Sequence, residues 1–160
     1  MKIYKAPQAI PSYIIEPSIF LAGSIEQGTA ENWQMRIEKS LSDMDVVLFN
    51  PRRADWDLTW EQSRNNPQFL EQVTWELTAL ESCDIIALRF DPATKSPISL
   101  LEMGLFAHSG KLHVCCPPGF WRKGNVEIVC DRYDIPFFED EAVWLTSIRK
   151  EVDSLIQLFV

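Results

Sequence analysis

The chain has 160 residues, 46% of them hydrophobic, with fifteen Lys and Arg against twenty-three Asp and Glu and a net charge of −8. That length suits one globular domain burying roughly 70% of its unfolded surface. No Lys/Arg cluster could track a phosphate backbone, which argues against nucleic acid as a partner. No segment reaches the ~20 apolar residues needed to cross a bilayer, and the N-terminus lacks the apolar core of a signal peptide, so the reading is a soluble, cytoplasmic protein with no membrane partner.

Residues 1–17 carry Pro7, Pro11 and Pro17 without periodicity and read as an extended lead-in to a single domain over 18–160. Ser18 to Ala22 is a short apolar strand ending in the turn Gly23-Ser24-Ile25-Glu26-Gln27-Gly28. Trp33, Ile37, Leu41 and Met44 then recur at helical spacing. Asp45 to Asn50 is a second buried-type strand, stopped by Pro51, and a polar loop with Trp56 and Trp60 follows. From Pro67 the positions Phe69, Leu70, Val73, Leu77 and Leu80 predict a helix whose apolar stripe has Glu76 at its edge.

Asp84 to Phe90 gives a third strand, and a helix is expected over about 99–109 with a stop at Gly110. A strand over Leu112 to Cys116 follows, then the turn-rich loop Pro117 to Asn125, a helical stretch to Tyr133, a short strand at Ile135 to Phe138, and a last helix over about 140–157. Alternating strands and helices predict an α/β fold, a parallel sheet of about five strands with helices on both faces. In such sheets the ligand crevice lies outside the carboxyl ends of the strands, where strand order reverses. Four segments should therefore converge: Gly23 to Gly28, Asn50 to Trp60, Asp91 to Glu102, and Pro117 to Asn125.

Ser99-x-x-Glu102 fits a capping box, with Ser99 as N-cap and Glu102 in the first turn, where the helix dipole favours an ionised carboxylate. The same position would turn Glu102 toward the crevice, and capping and catalysis are compatible. Glu76, half inside an apolar face, reads either as a carboxyl of raised pKa suited to acid catalysis or as a paired boundary residue. The G-x-x-x-x-G turn lacks the Lys and Ser/Thr of a phosphate loop, and Glu26 at its centre would repel phosphate. Trp56, Trp60, Phe120 and Trp121 sit in loops, either as anchors or as a wall for a heteroaromatic ring. Arg52 and Arg53, with Asp55 and Asp57 about Trp56, pair among themselves or present one guanidinium to a ligand. His108 and His113 have no second ligand at metal spacing. Cys83, Cys115, Cys116 and Cys130 lack paired C-x-x-C spacing and read as inert buried thiols, so neither a metal nor a cofactor is expected.

Taken in order, Phe20-Leu21-Ala22-Gly23-Ser24, Glu76-Leu77 ahead of Asp84-Ile85-Ile86, and Ser99-x-x-Glu102-Met103-Gly104 closed by Gly110-Lys111 resemble the nucleoside 2-deoxyribosyltransferase family over roughly residues 18–130. AGSIEQG, NPRR-x-DWD, QV-x-WEL, SPISLLEMG and GFWRKGNV mark one branch of it. The resemblance implies a flavodoxin-like fold, a small-molecule nucleoside or nucleotide as partner, and cleavage of an N-glycosidic bond. It places Glu102 at the nucleophile position, Glu76 at that of its partner carboxylate, and Asn125 at a residue lent to a neighbouring subunit. It also implies a homodimer or higher homo-oligomer, which the apolar end Leu155 to Val160 supports.

Phe20, Gly23, Ser24, Asp55, Trp56, Ser96, Ser99 and Trp121 are the expected substrate contacts. Phe20 stands where many members have tyrosine. Ser96 and Ser99 replace a common Asp and Gly, and related nucleotide-cleaving hydrolases use a serine near Ser96 for the 5′-phosphate. Glu26 replaces the arginine of those hydrolases, although Arg52, Arg53 or Arg122 could substitute for it. A nucleoside 5′-monophosphate N-ribohydrolase and a non-catalytic nucleotide sensor are the competing expectations.

Overall fold

The computed structural model describes residues 1–25 and 32–158. Its strands are β1 (Lys2–Lys5), β2 (Ser18–Gly23), β3 (Val47–Asn50), β4 (Ile85–Arg89), β5 (Leu112–Cys115) and β6 (Phe137–Phe138), and its helices are α1 (Gln34–Ser40), α2 (Pro67–Ser82), α3 (Pro97–Phe106), α4 (Lys123–Arg132) and α5 (Glu141–Leu158). The strands form one sheet in the order β1-β3-β2-β4-β5-β6, and every pairing is parallel. Without β1 this is the five-strand flavodoxin-like order, and the reversal falls between β2 and β4. The sixth strand comes from the lead-in, where Lys2 to Lys5 pair with Val47 to Asn50.

Side-chain alternation along the strands splits the core in two. Phe20, Ala22, Ile86 and Leu88 pack with Trp75, Ala79 and Leu80 of α2, Met103 of α3, and Val126 and Cys130 of α4. Ile19, Leu21, Ile85 and Ala87 pack on the other face with Trp33, with Ile37 of α1, and with Trp144, Ile148 and Val152 of α5. The near-continuous apolar strands are therefore covered on both faces, as a parallel sheet requires.

Helix α2 starts where the sequence indicates: Asn66 accepts from Phe69 N–H at 3.0 Å, and Pro67 follows at the first helical position. Its buried face is rotated from the expected stripe. Leu70 and Leu77 are exposed, whereas Gln72, Trp75, Ala79 and Leu80 are buried and Glu76 is half-buried. Three polar or amphipathic groups thus occupy the inward face, which the apolar pattern did not reveal. With Ile10, Leu70 and Trp75 line a shallow groove of about 520 Å³ that touches neither Glu76 nor Glu102.

On the other face, Glu141 in the first turn of α5 accepts from Arg89 Nε at 2.7 Å and from Arg36 Nε and Nη2 at 2.6 and 3.0 Å. Burial pushes the Glu141 carboxyl up, but the two guanidiniums outweigh it and hold it below the ordinary carboxylate range. Glu141→Ala leaves the buried Arg89, among the described residues, with only the longer contact to Asp91 at 3.7 Å, and a loss of about 2–3 kcal/mol is expected in urea unfolding at pH 7. Because the folded state binds this proton more weakly than the unfolded chain, the contribution is lost as pH falls through the depressed titration. A loss below about 0.5 kcal/mol, within the range of exposed pairs, would contradict the assignment.

Candidate active site

Position in the sheet explains why the turn after β2 and the loop after β4 meet. Gly23 and Arg89, the last residues of β2 and β4, are register partners at the reversal point. Gly23 has φ +144°, and a Cβ there would collide with the Arg89 carbonyl and come within 2.9 Å of Trp33. Only glycine lets the two strand ends run this close.

Directly after it, Ser24 N–H donates to Arg89 O at 3.2 Å, and the Ser24 carbonyl accepts from Trp33 Nε1 at 3.0 Å. The Ser24 hydroxyl bonds Ser96 Oγ, lies 2.8 Å from Thr94 Oγ1, and accepts from Asp91 N–H at 3.1 Å. Thr94 and Ser96 are joined at 2.7 Å. Three hydroxyls thus lock the turn after β2 to the loop after β4. Glu26, Gln27 and Gly28 of that turn lie outside the described residues.

The start of α3 corrects the capping-box expectation. The helix begins at Pro97, its N-cap is Ser96 with φ +47°, and no side chain caps it. Proline at the first helical position, with its fixed φ, sets this start two residues earlier than expected. Ser99 is therefore inside the helix and Glu102 is in its second turn, beyond the reach of the dipole that was to ionise it.

Both residues are buried, Glu102 at 8% exposure, and among the described residues no hydrogen bond reaches its carboxyl. Burial, reinforced by the charge of Glu76, pushes Glu102 up to about 8. Burial also raises Glu76, against a hydrogen bond from Gln72 that lowers it. Glu76 of α2 and Glu102 of α3 are thus close enough for the charge of Glu76 to add to the effect of burial on Glu102.

Gln72 of QV-x-WEL is joined to Glu76. Its Nε2 donates to Glu76 Oε1 at 2.8 Å and to the Pro51 carbonyl at 2.9 Å, tying α2 to the end of β3. The signal was present in the i,i+4 spacing of Gln72 and Glu76.

The remaining candidates fall into three settings. Phe20 is fully buried beneath Trp75, with ring centroids 6.4 Å apart, as part of the core. In the second loop, Arg53 is held by Asp55 at 2.8 and 3.1 Å and by Glu71 at 3.2 Å, and its guanidinium lies 5.0 Å from the Trp60 centroid. Asp55 thus pairs with Arg53, and Asp57 accepts from Thr59. Trp56 packs on Trp60 at 5.2 Å, and its buried indole N–H has no partner among the described residues.

In the fourth loop, Phe120 is an anchor, stacked on Phe90 at 4.7 Å. Trp121 is half exposed and donates to Lys95 O at 3.0 Å, with Arg122 and Lys95 over its ring at 4.3 and 5.2 Å. Asn125 is exposed on the first turn of α4. The four cysteines are free and buried, and burial pushes each thiol to about 11 or 12, too high to act as a thiolate at neutral pH.

A family model described as nucleoside 2-deoxyribosyltransferase like matches residues 16–120, which contain β2 through β5, both glutamates and the hydroxyl cluster. The chain belongs to this family. No curated protein matches it. The matched span supports a small-molecule nucleoside as the class of ligand. No helix among the described residues is long and apolar enough to cross a membrane.

Proposed function

We infer that the protein cleaves the N-glycosidic bond of a nucleoside, with Glu102 as nucleophile and Glu76 as the group that protonates the departing base. The observation that carries this reading is the pair itself. Burial raises both carboxyls, and the charge of Glu76 raises Glu102 further, an arrangement that suits one group keeping a proton as acid while the other attacks.

In the free protein the hydrogen bond that Gln72 gives Glu76 favours the ionised form of Glu76, which leaves the proton to Glu102. As substrate enters, the proton passes to Glu76. The Glu102 carboxylate then attacks C1′, the C1′–N bond breaks, and its electron pair takes the proton from Glu76. Water or a second base, deprotonated by Glu76, next displaces Glu102 from C1′, which restores both groups. The rate follows the singly protonated pair, so the pH profile is bell-shaped with its alkaline limb near 8.

Ser24, Thr94, Ser96 and Ser99 bind the sugar and its 5′ group in this reading, and Trp56 and Trp121 flank the base. The left-handed Ser96, held by two neighbouring hydroxyls, is the kind of strain retained at binding sites. Asn125 completes the site of an adjoining subunit in a homo-oligomer. Incubation with a panel of nucleosides, deoxynucleosides and 5′-monophosphates, with and without an acceptor base, should release free base from at least one member. Release from none overturns the reading.

A 5′-monophosphate hydrolase is the second reading, favoured by the hydroxyl cluster beside Lys95 and Arg122. Arg53 is committed to Asp55 and Glu71, which leaves Arg122 as the better phosphate partner of the two. Base release from monophosphates alone, with no exchange into an added base, selects the hydrolase.

A further inference from the structure

Gln72 is 3% exposed, yet its side chain is fully polar and sits between a main-chain carbonyl and an active-site carboxyl. The Pro51 carbonyl can only accept, so it fixes which end of the amide faces it. Nε2 must point to Pro51, and the second N–H is then directed at Glu76. The reversed amide would set its oxygen against a carbonyl and a carboxylate at once. The cost of this orientation is visible at the other end, where Gln72 Oε1 is buried and has no partner among the described residues. A buried acceptor left unmet marks an amide placed for what its nitrogen does.

We propose that Gln72 is a positioning residue that decides which carboxyl of the Glu76–Glu102 pair holds their shared proton. Clamped to the end of β3 and carried on the same helix as Glu76, it offers a fixed N–H to Glu76 Oε1 and so favours the ionised form of that residue. The proton is left to Glu102, to which no hydrogen bond is given among the described residues. Glu102 on α3 is the ionisable neighbour that couples to Glu76 there, so a change at one is felt at the other. The role rests on the two-carboxylate reading above, but the state it sets exists in the protein without substrate.

The test is residue-specific titration by ¹³C-carboxyl NMR, with signals assigned through Glu76→Gln and Glu102→Gln. In Gln72→Met the Glu76 midpoint should rise by about one pH unit or more, because a hydrogen bond to its charged form is gone. The Glu102 midpoint should fall, because its neighbour now stays neutral longer. Gln72→Asn retains an amide one methylene short of bridging both acceptors, so it should give the same opposed shifts and remains readable if the Met variant does not fold.

A packing role alone would leave both midpoints in place or move them together, and either result overturns the proposal. In a turnover assay the acidic limb of the pH–rate profile should move to higher pH in both variants. If the wild-type protein releases no base, the proposed activity fails while the opposed NMR shifts still decide the role of Gln72.

Discussion

Glu102→Gln is expected to reduce base release by about 10³-fold or more while leaving the protein folded and, above neutral pH, more stable than the parent. The loss follows from the chemistry proposed for the site. An amide of the same shape fits the buried position of Glu102 on α3 but cannot form the glycosyl ester. A thousandfold loss corresponds to about 4 kcal/mol of transition-state stabilisation.

The gain in stability has a separate origin. Burial lifts Glu102 from its ordinary 4.5 to about 8, so the folded state holds this proton more tightly than the unfolded chain does. Between those two values the folded protein carries more protons, and each rise in pH weakens it, by up to about 1.4 kcal/mol per pH unit. The parent should therefore lose a few kcal/mol of stability between about pH 4.5 and 8 through this group alone. Glu102→Gln should remove that share and leave a slope of the same sign from Glu76. Urea unfolding at pH 5, 6.5 and 8 measures it, and a variant whose stability tracks the parent at all three would show that Glu102 is not buried in the way described. Retained turnover would separately remove it from the nucleophile role.

The four central strands were legible because each is a run of buried apolar residues ended by Gly, Pro or a polar loop, and the half-buried edge strand β6 because Phe137 and Phe138 follow Pro136 and precede a polar stretch. Helix α2 was legible because Asn66 and Pro67 are a strong start signal. What resisted reading was the polar detail of the buried faces. Leu70 and Leu77 look like core positions in a one-dimensional pattern, but they are exposed while Gln72 and Glu76 turn inward. An apolar moment cannot report a face built to hold polar groups beneath a crevice.

The start of α3 was misread for a related reason. Ser99 and Glu102 match a capping box by spacing, and Pro97 competes with that match by offering an earlier first position. The competition mattered, because it moves Glu102 from a place where the dipole ionises it to one where burial keeps its proton. Strand β1 was missed as a strand because Lys2 to Lys5 has charged ends and no apolar alternation. Its pairing to β3 is main-chain hydrogen bonding at a sheet edge, which side-chain pattern barely records.

Gly23→Ala should be the most destabilising single-methyl change in the chain. Residue 23 ends β2 opposite Arg89 with φ +144°, a conformation that L residues rarely adopt. The new methyl would meet main chain on one side, the Arg89 carbonyl, which is fixed by the β2–β4 pairing and cannot rotate away. On the other side it would come within 2.9 Å of Trp33, a fully buried ring packed on Trp144 at 6.2 Å and anchored to the Ser24 carbonyl. Neither neighbour is a flexible side-chain end, so backbone strain and overpacking add, for about 4 kcal/mol and a fall of roughly 10 °C in Tm.

Ser24 follows directly, so the same shift should pull its hydroxyl off Ser96 and Thr94 and lower turnover in whatever fraction remains folded. Gly104→Ala supplies the contrast within one experiment. Gly104 lies inside α3 and is exposed, and a Cβ there meets nothing within 4 Å, so alanine should add about 0.5–1 kcal/mol. Thermal unfolding of the two variants beside the parent should therefore give shifts of opposite sign. A Gly23→Ala protein melting within a degree or two of the parent would mean that the β2 and β4 ends are not held this close, and with them the hydroxyl cluster on which the sugar site depends.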